Sequence, residues 1–226
     1  MKKITVKKLI EFRKKTDRTK ITFINNLKKD IVKSDDVNSS SGDYWISCLS
    51  SIRNVFKNDN KDFLDDKINL LNTKINLSEI KRIKNQFQRN IDILNNFKDF
   101  DFKSLKPNTK LTFLKQLKKD SILDIGNIPI EAKPCHIFTF SIDDKVQIGG
   151  IWFVAQLGGF NKSELAMFTD IIYRYLEKHY SKKFHINPNF CMSIDLFNGQ
   201  QVNYSEIQNG TYKILIDSTI AEVRKI

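Results

Sequence analysis

Apolar residues recur along this chain with two different periods, and the change between them divides it. Leu64, Ile68, Leu71 and Ile75 stand at i, i+4, i+7 and i+11, one stripe of a helix. Behind Ser78, the positions Ile80, Ile83, Phe87, Ile91 and Leu94 predict a long amphipathic helix ending near Phe97. Ahead of both, Trp45, Ile46, Leu49, Ile52 and Phe56 follow Asp43 at an N-cap position and predict a third. At the start, Thr5 is placed to cap a short helix with the face Val6, Leu9 and Ile10. A second short helix follows Thr16-Asp17 with the face Ile21, Ile24, Leu27 and Ile31. The turn formers of residues 34–43 (SDDVNSSSGD) predict a connector, and residues 112–118 a short helix.

From residue 121 the period falls to two, as strands require. Residues 123–131 read as extended chain with a turn at Gly126-Asn127. Residues 135–142 (CHIFTFSI) form a strand that Asp143-Asp144 turns into VQIGGIWFVAQL. The last run is nearly all apolar, so it belongs in the middle of a sheet, and Gly149-Gly150 within it marks a bulge or a close backbone approach. Asn161, with Glu164 three residues on, opens a helix that runs to about His179. Residues 189–197 return to a strand, Asn198-Gly199 signals a tight hairpin into residues 201–204, and residues 212–217 predict a last strand. The expected fold class is α+β: a basic, mostly helical N-terminal part and then the order β-β-β-α-β-β-β. The expected division is a basic helical segment (1–33), a linker (34–43), a helical region (44–120) and an α+β domain (121–226).

Charge sharpens that division. The 226 residues carry a net charge of +12, with 38 Lys and Arg against 26 Asp and Glu. Of the cations 31 are Lys and 7 Arg, and with 30 Ile and 21 Asn this is the mix expected from an AT-rich genome; a bacterial source is expected. Genome bias acts on the whole chain, yet residues 1–120 are at +13 and residues 121–226 at −1. An anionic partner for the N-terminal half accounts for the difference, and so does a solvated Lys-rich surface. Lys7, Lys8, Arg13, Lys14, Lys15, Arg18 and Lys20 alternate with the apolar faces of the first helices. Lys81, Arg82 and Arg89 add a second basic run, and such faces contact phosphates without reading bases. No apolar run approaches the ~18 residues of a membrane span, and Lys7 and Lys8 interrupt the start before any signal-peptide core, so a cytoplasmic protein with no membrane contact is expected.

Candidate chemistry is sparse. Cys48, Cys135 and Cys191 form no CxxC pair and imply no disulfide framework. Cys135 and His136 are adjacent, so on a strand they face opposite ways and cannot act as a catalytic pair. His179, His185 and Cys191 are spaced too widely for the usual zinc pattern, so no metal site is assigned. Phe138, Phe140, Trp152 and Phe153 lack the flanking cations of a base-stacking platform and are expected in the core. Gly158-Gly159 ahead of a helix suits a tight turn or a phosphate-facing loop.

The order helix, three-stranded meander, helix, strand over residues 79–197 resembles the core of the PD-(D/E)XK nuclease superfamily. That resemblance implies an early acidic residue and an E-x-K on the next strand holding one or two divalent ions such as Mg²⁺. Here Asp143 or Asp144 would supply the first acid and Glu131 or Glu79 another. The E-x-K position reads Val154-Ala155-Gln156-Leu157, which lacks both the carboxylate and the lysine. The chain is therefore expected to be a nucleic-acid-associated protein whose basic helices contact phosphates, with a nuclease-like half, and with no cofactor unless a rearranged site takes Mg²⁺. The alternatives are a protein-interaction subunit and a metal-dependent nuclease whose ligands, among Glu131, Asp143, Asp144 and Gln156, have moved.

Overall fold

The computed structural model describes residues 3–28, 44–115 and 121–226. The connector at 34–43 and the Asp43 cap lie outside the described residues. Five strands form the main sheet in the order β2-β5-β6-β7-β8: β2 (Thr112–Leu114), β5 (His136–Ile142), β6 (Lys145–Val154), β7 (His185–Asp195) and β8 (Gln201–Asn203). Only β6 and β7 are parallel, and α6 (Lys162–Tyr180) makes the crossover between them. A second sheet, β1-β4-β3, joins β1 (Ile4–Thr5) to the hairpin of β3 (Ile122–Ile125) and β4 (Ile128–Glu131). The class is thus α+β, as the pattern predicts.

Each face of the main sheet has its own core. On one face lie α3 (Ile46–Asn58), α4 (Asp62–Leu77) and α5 (Lys81–Asn96), with Phe138, Phe140, Ile151 and Phe153 beneath them. On the other lie α6, α1 (Val6–Arg13), α2 (Asp17–Lys28), α8 (Ile216–Arg224) and the small sheet, over Ile137, Ile148 and Cys191. The short α7 (Tyr204–Gln208) completes the eight helices of the described residues. Phe56 anchors the first core. It is fully buried, with ring centroids 5.6–6.1 Å from His136, Phe153, Phe138 and Phe113. No helix among the described residues is long and apolar enough to cross a membrane.

Several local expectations hold for the reasons given. Thr5 accepts a hydrogen bond from the Lys8 amide, and Asn161 and Glu164 form a reciprocal capping box. Asp143 and Asp144, both at positive φ, make the two-residue turn between β5 and β6. The register between β6 and β7 shifts at Gly149, where a Cβ would stand 2.5 Å from the Phe190 carbonyl oxygen.

Three expectations are corrected. Residues 112–114, predicted to start a helix, pair with β5 as edge strand β2, because Leu114 opposite Ile137 covers its end of the sheet. Residues 212–217, predicted as a strand, lead into α8, whose buried Ile216, Ile220 and Val223 carry a helical period that the alternation before them hides. The Asn198-Gly199 turn is longer than two residues, since the Asp195 carboxylate gathers the amides of Phe197 and Asn198 and holds the chain away from tight pairing.

Candidate functional site

Most cations of the first helices are turned onto the body of the protein. Lys14 pairs with Glu164 at 2.6 Å, Lys20 with Glu222, and Lys3 with Glu131. Arg13 donates to the Thr219 hydroxyl at 2.9 Å, and Lys8 pairs with Glu11 at 2.7 Å. Lys15 lies over the Phe23 ring at 5.1 Å. Three of the acids that answer this basic segment therefore come from residues 121–226. Arg18 stays exposed, as do Lys81 and Arg82 on α5, while Arg89 donates to the Tyr44 hydroxyl. Because α1 and α5 cover opposite faces of the main sheet, the two basic runs do not form one surface.

The nuclease-type candidates are also spread out. Asp143 and Asp144 sit at the turn where β6 begins, and Gln156 follows the end of β6. Ten strand residues at ~3.3 Å each put those two ends roughly 30 Å apart. Gln156 donates to the Gly159 carbonyl at 2.5 Å and shapes its own loop. Glu79 lies in the link between α4 and α5. Among the described residues no three His, Cys, Asp or Glu side chains gather as a metal site.

A different constellation forms where β6 runs past β5. The β5 pairing ends at His136 opposite Ile151, so Trp152, Phe153 and Val154 have no β5 neighbour. Cys135 partly closes the gap, its sulfur accepting from the Phe153 amide at 3.3 Å. Around this notch opens a cleft of about 240 Å³. Leu49 and Arg53 of α3 reach it from one face, Phe160 and Phe168 from the other, and Thr5, Val6 and Lys7 from the start of α1. Glu131 and Lys133 of the chain leaving β4 complete the wall. Trp152 meets Phe168 edge-on at 5.3 Å, and Phe160 meets the same ring at 5.3 Å, so one side of the cleft is aromatic.

Arg53 is held by the adjacent Cys135 and His136. Its Nε donates to the Cys135 sulfur at 3.0 Å. Its carbonyl lies 3.0 Å from His136 Nε2, and since a carbonyl only accepts, that nitrogen carries the proton. Burial, with Arg53, Lys57 and Lys106 nearby, lowers the His136 pKa to about 4, so the ring is neutral at pH 7. Burial likewise raises the Cys135 thiol, against the pull of Arg53, which keeps it a poor nucleophile. The two terminal nitrogens of Arg53 meet no acceptor among the described residues. Lys7 donates to the Ala155 carbonyl at 3.1 Å, and Lys133 pairs with Glu131 at 2.7 Å. Burial pulls the Glu131 carboxyl upward, but Lys133 and Lys3 together outweigh it and hold it below its ordinary value. The cleft lining thus sets Lys7, Arg53 and Lys133 against one carboxylate, which Lys3 also pairs from outside.

Below the cleft, Asp195 fixes the loops that follow β6 and β7. The buried carboxylate accepts from the amides of Phe160 at 3.1 Å and of Phe197 and Asn198 at 3.2 Å. Gly159 passes it at φ +74°, where a Cβ would lie 2.4 Å from the carboxylate. Of the cleft residues only Lys7 and Glu131 stand out in the sequence as candidates. Arg53 carries one usable signal: a rare Arg in a Lys-rich chain, one turn from Leu49 on the buried side of an apolar stripe. Comparison of the chain with protein families, with curated proteins and with solved structures gives no match.

Proposed function

We propose that this chain is a nucleic-acid-associated protein that contacts phosphate through the Arg53 cleft and not through the faces of α1 and α2. The observation that carries the reading is the convergence of Lys7, Arg53 and Lys133 on a cleft with an aromatic side, the terminal nitrogens of Arg53 meeting no acceptor among the described residues. A guanidinium fork suits phosphate oxygens better than a lysine does. The site also lies past the carboxyl end of β6, the end of parallel strands where α/β sheets commonly place ligands. One charge-assisted hydrogen bond is worth about 1.5–3 kcal/mol, so Arg53→Gln should weaken binding about ten- to hundredfold. Fluorescence anisotropy with a labelled single strand at about 50 mM salt measures this. Absence of binding there would end the reading. So would a loss on Lys81→Glu with Arg82→Glu as large as that on Arg53→Gln.

A second reading, a protein-interaction subunit, is favoured by Leu77 at the end of α4 and Ile80 in the link to α5, which are 79% and 58% exposed. A stoichiometric partner recovered by pull-down and lost on Leu77→Asp with Ile80→Asp would support it.

A further inference from the structure

We infer that the cleft accepts one complete nucleotide unit bearing a terminal phosphate monoester, supplied either by a free mononucleotide or by the phosphorylated end of a strand. This rests on the proposed nucleic-acid reading and makes it more specific. Three features of the cleft lead to it.

The first is size. At about 240 Å³ the space falls just under the ~300–1,000 Å³ of typical small-molecule sites, a size for about one small molecule at a time. Residues of α3 line it from one face of the sheet, Phe168 of α6 from the other, and Val6 and Lys7 from the first turn of α1.

The second is charge. Lys133 lines the cleft beside Glu131, which it shares with Lys3 from outside, and Lys7 and Arg53 have no carboxylate partner among the described residues, so the lining carries an excess of about two positive charges. A phosphate monoester brings about −1.5 to −2 at pH 7, whereas an internal diester brings about −1. The monoester also offers three oxygens, enough for the Arg53 fork and a lysine together. The third is the aromatic side. Trp152, half-buried and held by Phe168, offers a flat apolar surface that a lone phosphate would leave uncovered and a base would cover.

The test measures the full-length protein against four probes at low salt: a short 5′-phosphorylated oligothymidylate, the same strand without its phosphate, its circularised form, and thymidine 5′-monophosphate as competitor. The phosphorylated end should bind at least tenfold more tightly than the unphosphorylated or circular strand, and Lys133→Gln and Arg53→Lys should each erase most of that margin. Lys133 is exposed, so its variant retains the fold even if the Arg53 variant does not. Competition by the mononucleotide at concentrations matching the strand supports the inference with a free nucleotide as the source, and weak competition supports it with a strand end. Equal affinity for the circle and the phosphorylated end overturns the inference and leaves the nucleic-acid reading standing. Binding of the mononucleotide with no binding of any strand overturns that reading and the inference that rests on it. Binding of none overturns both.

Discussion

Acidification should weaken this fold through His136 before carboxylates enter the account. The ring is buried against Phe56, with centroids 5.6 Å apart, and Phe113 stands at 5.3 Å. Its Nε2–H is committed to the Arg53 carbonyl, so a second proton would fall on Nδ1 in a setting that already holds Arg53, Lys57 and Lys106. The folded pKa is about 4 against an ordinary 6.5. Between those values the unfolded chain binds the extra proton and the folded chain does not, so stability must fall as pH drops from 6.5 to 4. At about 1.36 kcal/mol per unit, the difference amounts to about 3 kcal/mol, a large share of the ~5–15 kcal/mol that holds a domain folded. Urea titrations from pH 7 to pH 4 on the wild type and on His136→Gln measure it. The variant keeps a donor for the Arg53 carbonyl but does not titrate, so the acid loss of the wild type should exceed that of the variant by about 3 kcal/mol. Other groups titrate alike in both proteins and cancel in the comparison. Stability curves that stay parallel across this range would refute the reasoning.

Four further outcomes follow from the contacts described. Glu131→Gln should tighten anion binding severalfold by anisotropy, because Lys3 and Lys133 lose their shared counter-ion. The folded pKa of Glu131 is lowered, so its share of stability is present above about pH 4.5 and lost below; the variant should lack that share of the acid loss in the same urea series. Gly159→Ala combines a left-handed backbone, costing about 1–2 kcal/mol, with a Cβ 2.4 Å from the Asp195 carboxylate; a melting point lowered by roughly 4–8 °C is expected, and an unchanged one would contradict the geometry. Asp195→Ala strands three amide donors and should cost about 3–5 kcal/mol by chemical denaturation. Phe56→Ala empties the centre of the α3 core and should cost about 3–5 kcal/mol in the same assay.

Local regularities made much of the fold legible. The stripes of α4 and α5, the Asn161 capping box, the Gly149 bulge and the central position of β6 all follow from neighbours close in sequence. The failures share a cause. Residues 112–114 became a strand because β5 lies beside them, and no local period announces that partner. The basic residues of the first segment read as a surface awaiting an anion because Glu131, Glu164 and Glu222, which answer Lys3, Lys14 and Lys20, lie more than a hundred residues away. Arg53 was hidden for the same reason. Within α3 it is an interruption of an apolar face, and it becomes a site residue only when Cys135, His136 and the end of β6 arrive beside it.

The pairing of β1 with β4 also fixes an order of assembly. Ile4 and Thr5 meet Ile130 and Glu131, and Arg13 reaches Thr219, so the earliest of these segments to be synthesised docks on the latest. During translation residues 4–28 must wait for α6 and α8 with Leu9, Ile10, Phe12 and Ile24 still uncovered. The lysines between those positions keep the waiting segment solvated and mutually repelling, and they find their acids only once the body has formed. The cleft, bordered by Thr5, Val6 and Lys7, is therefore among the last features to appear, and a ligand can report on completed folding.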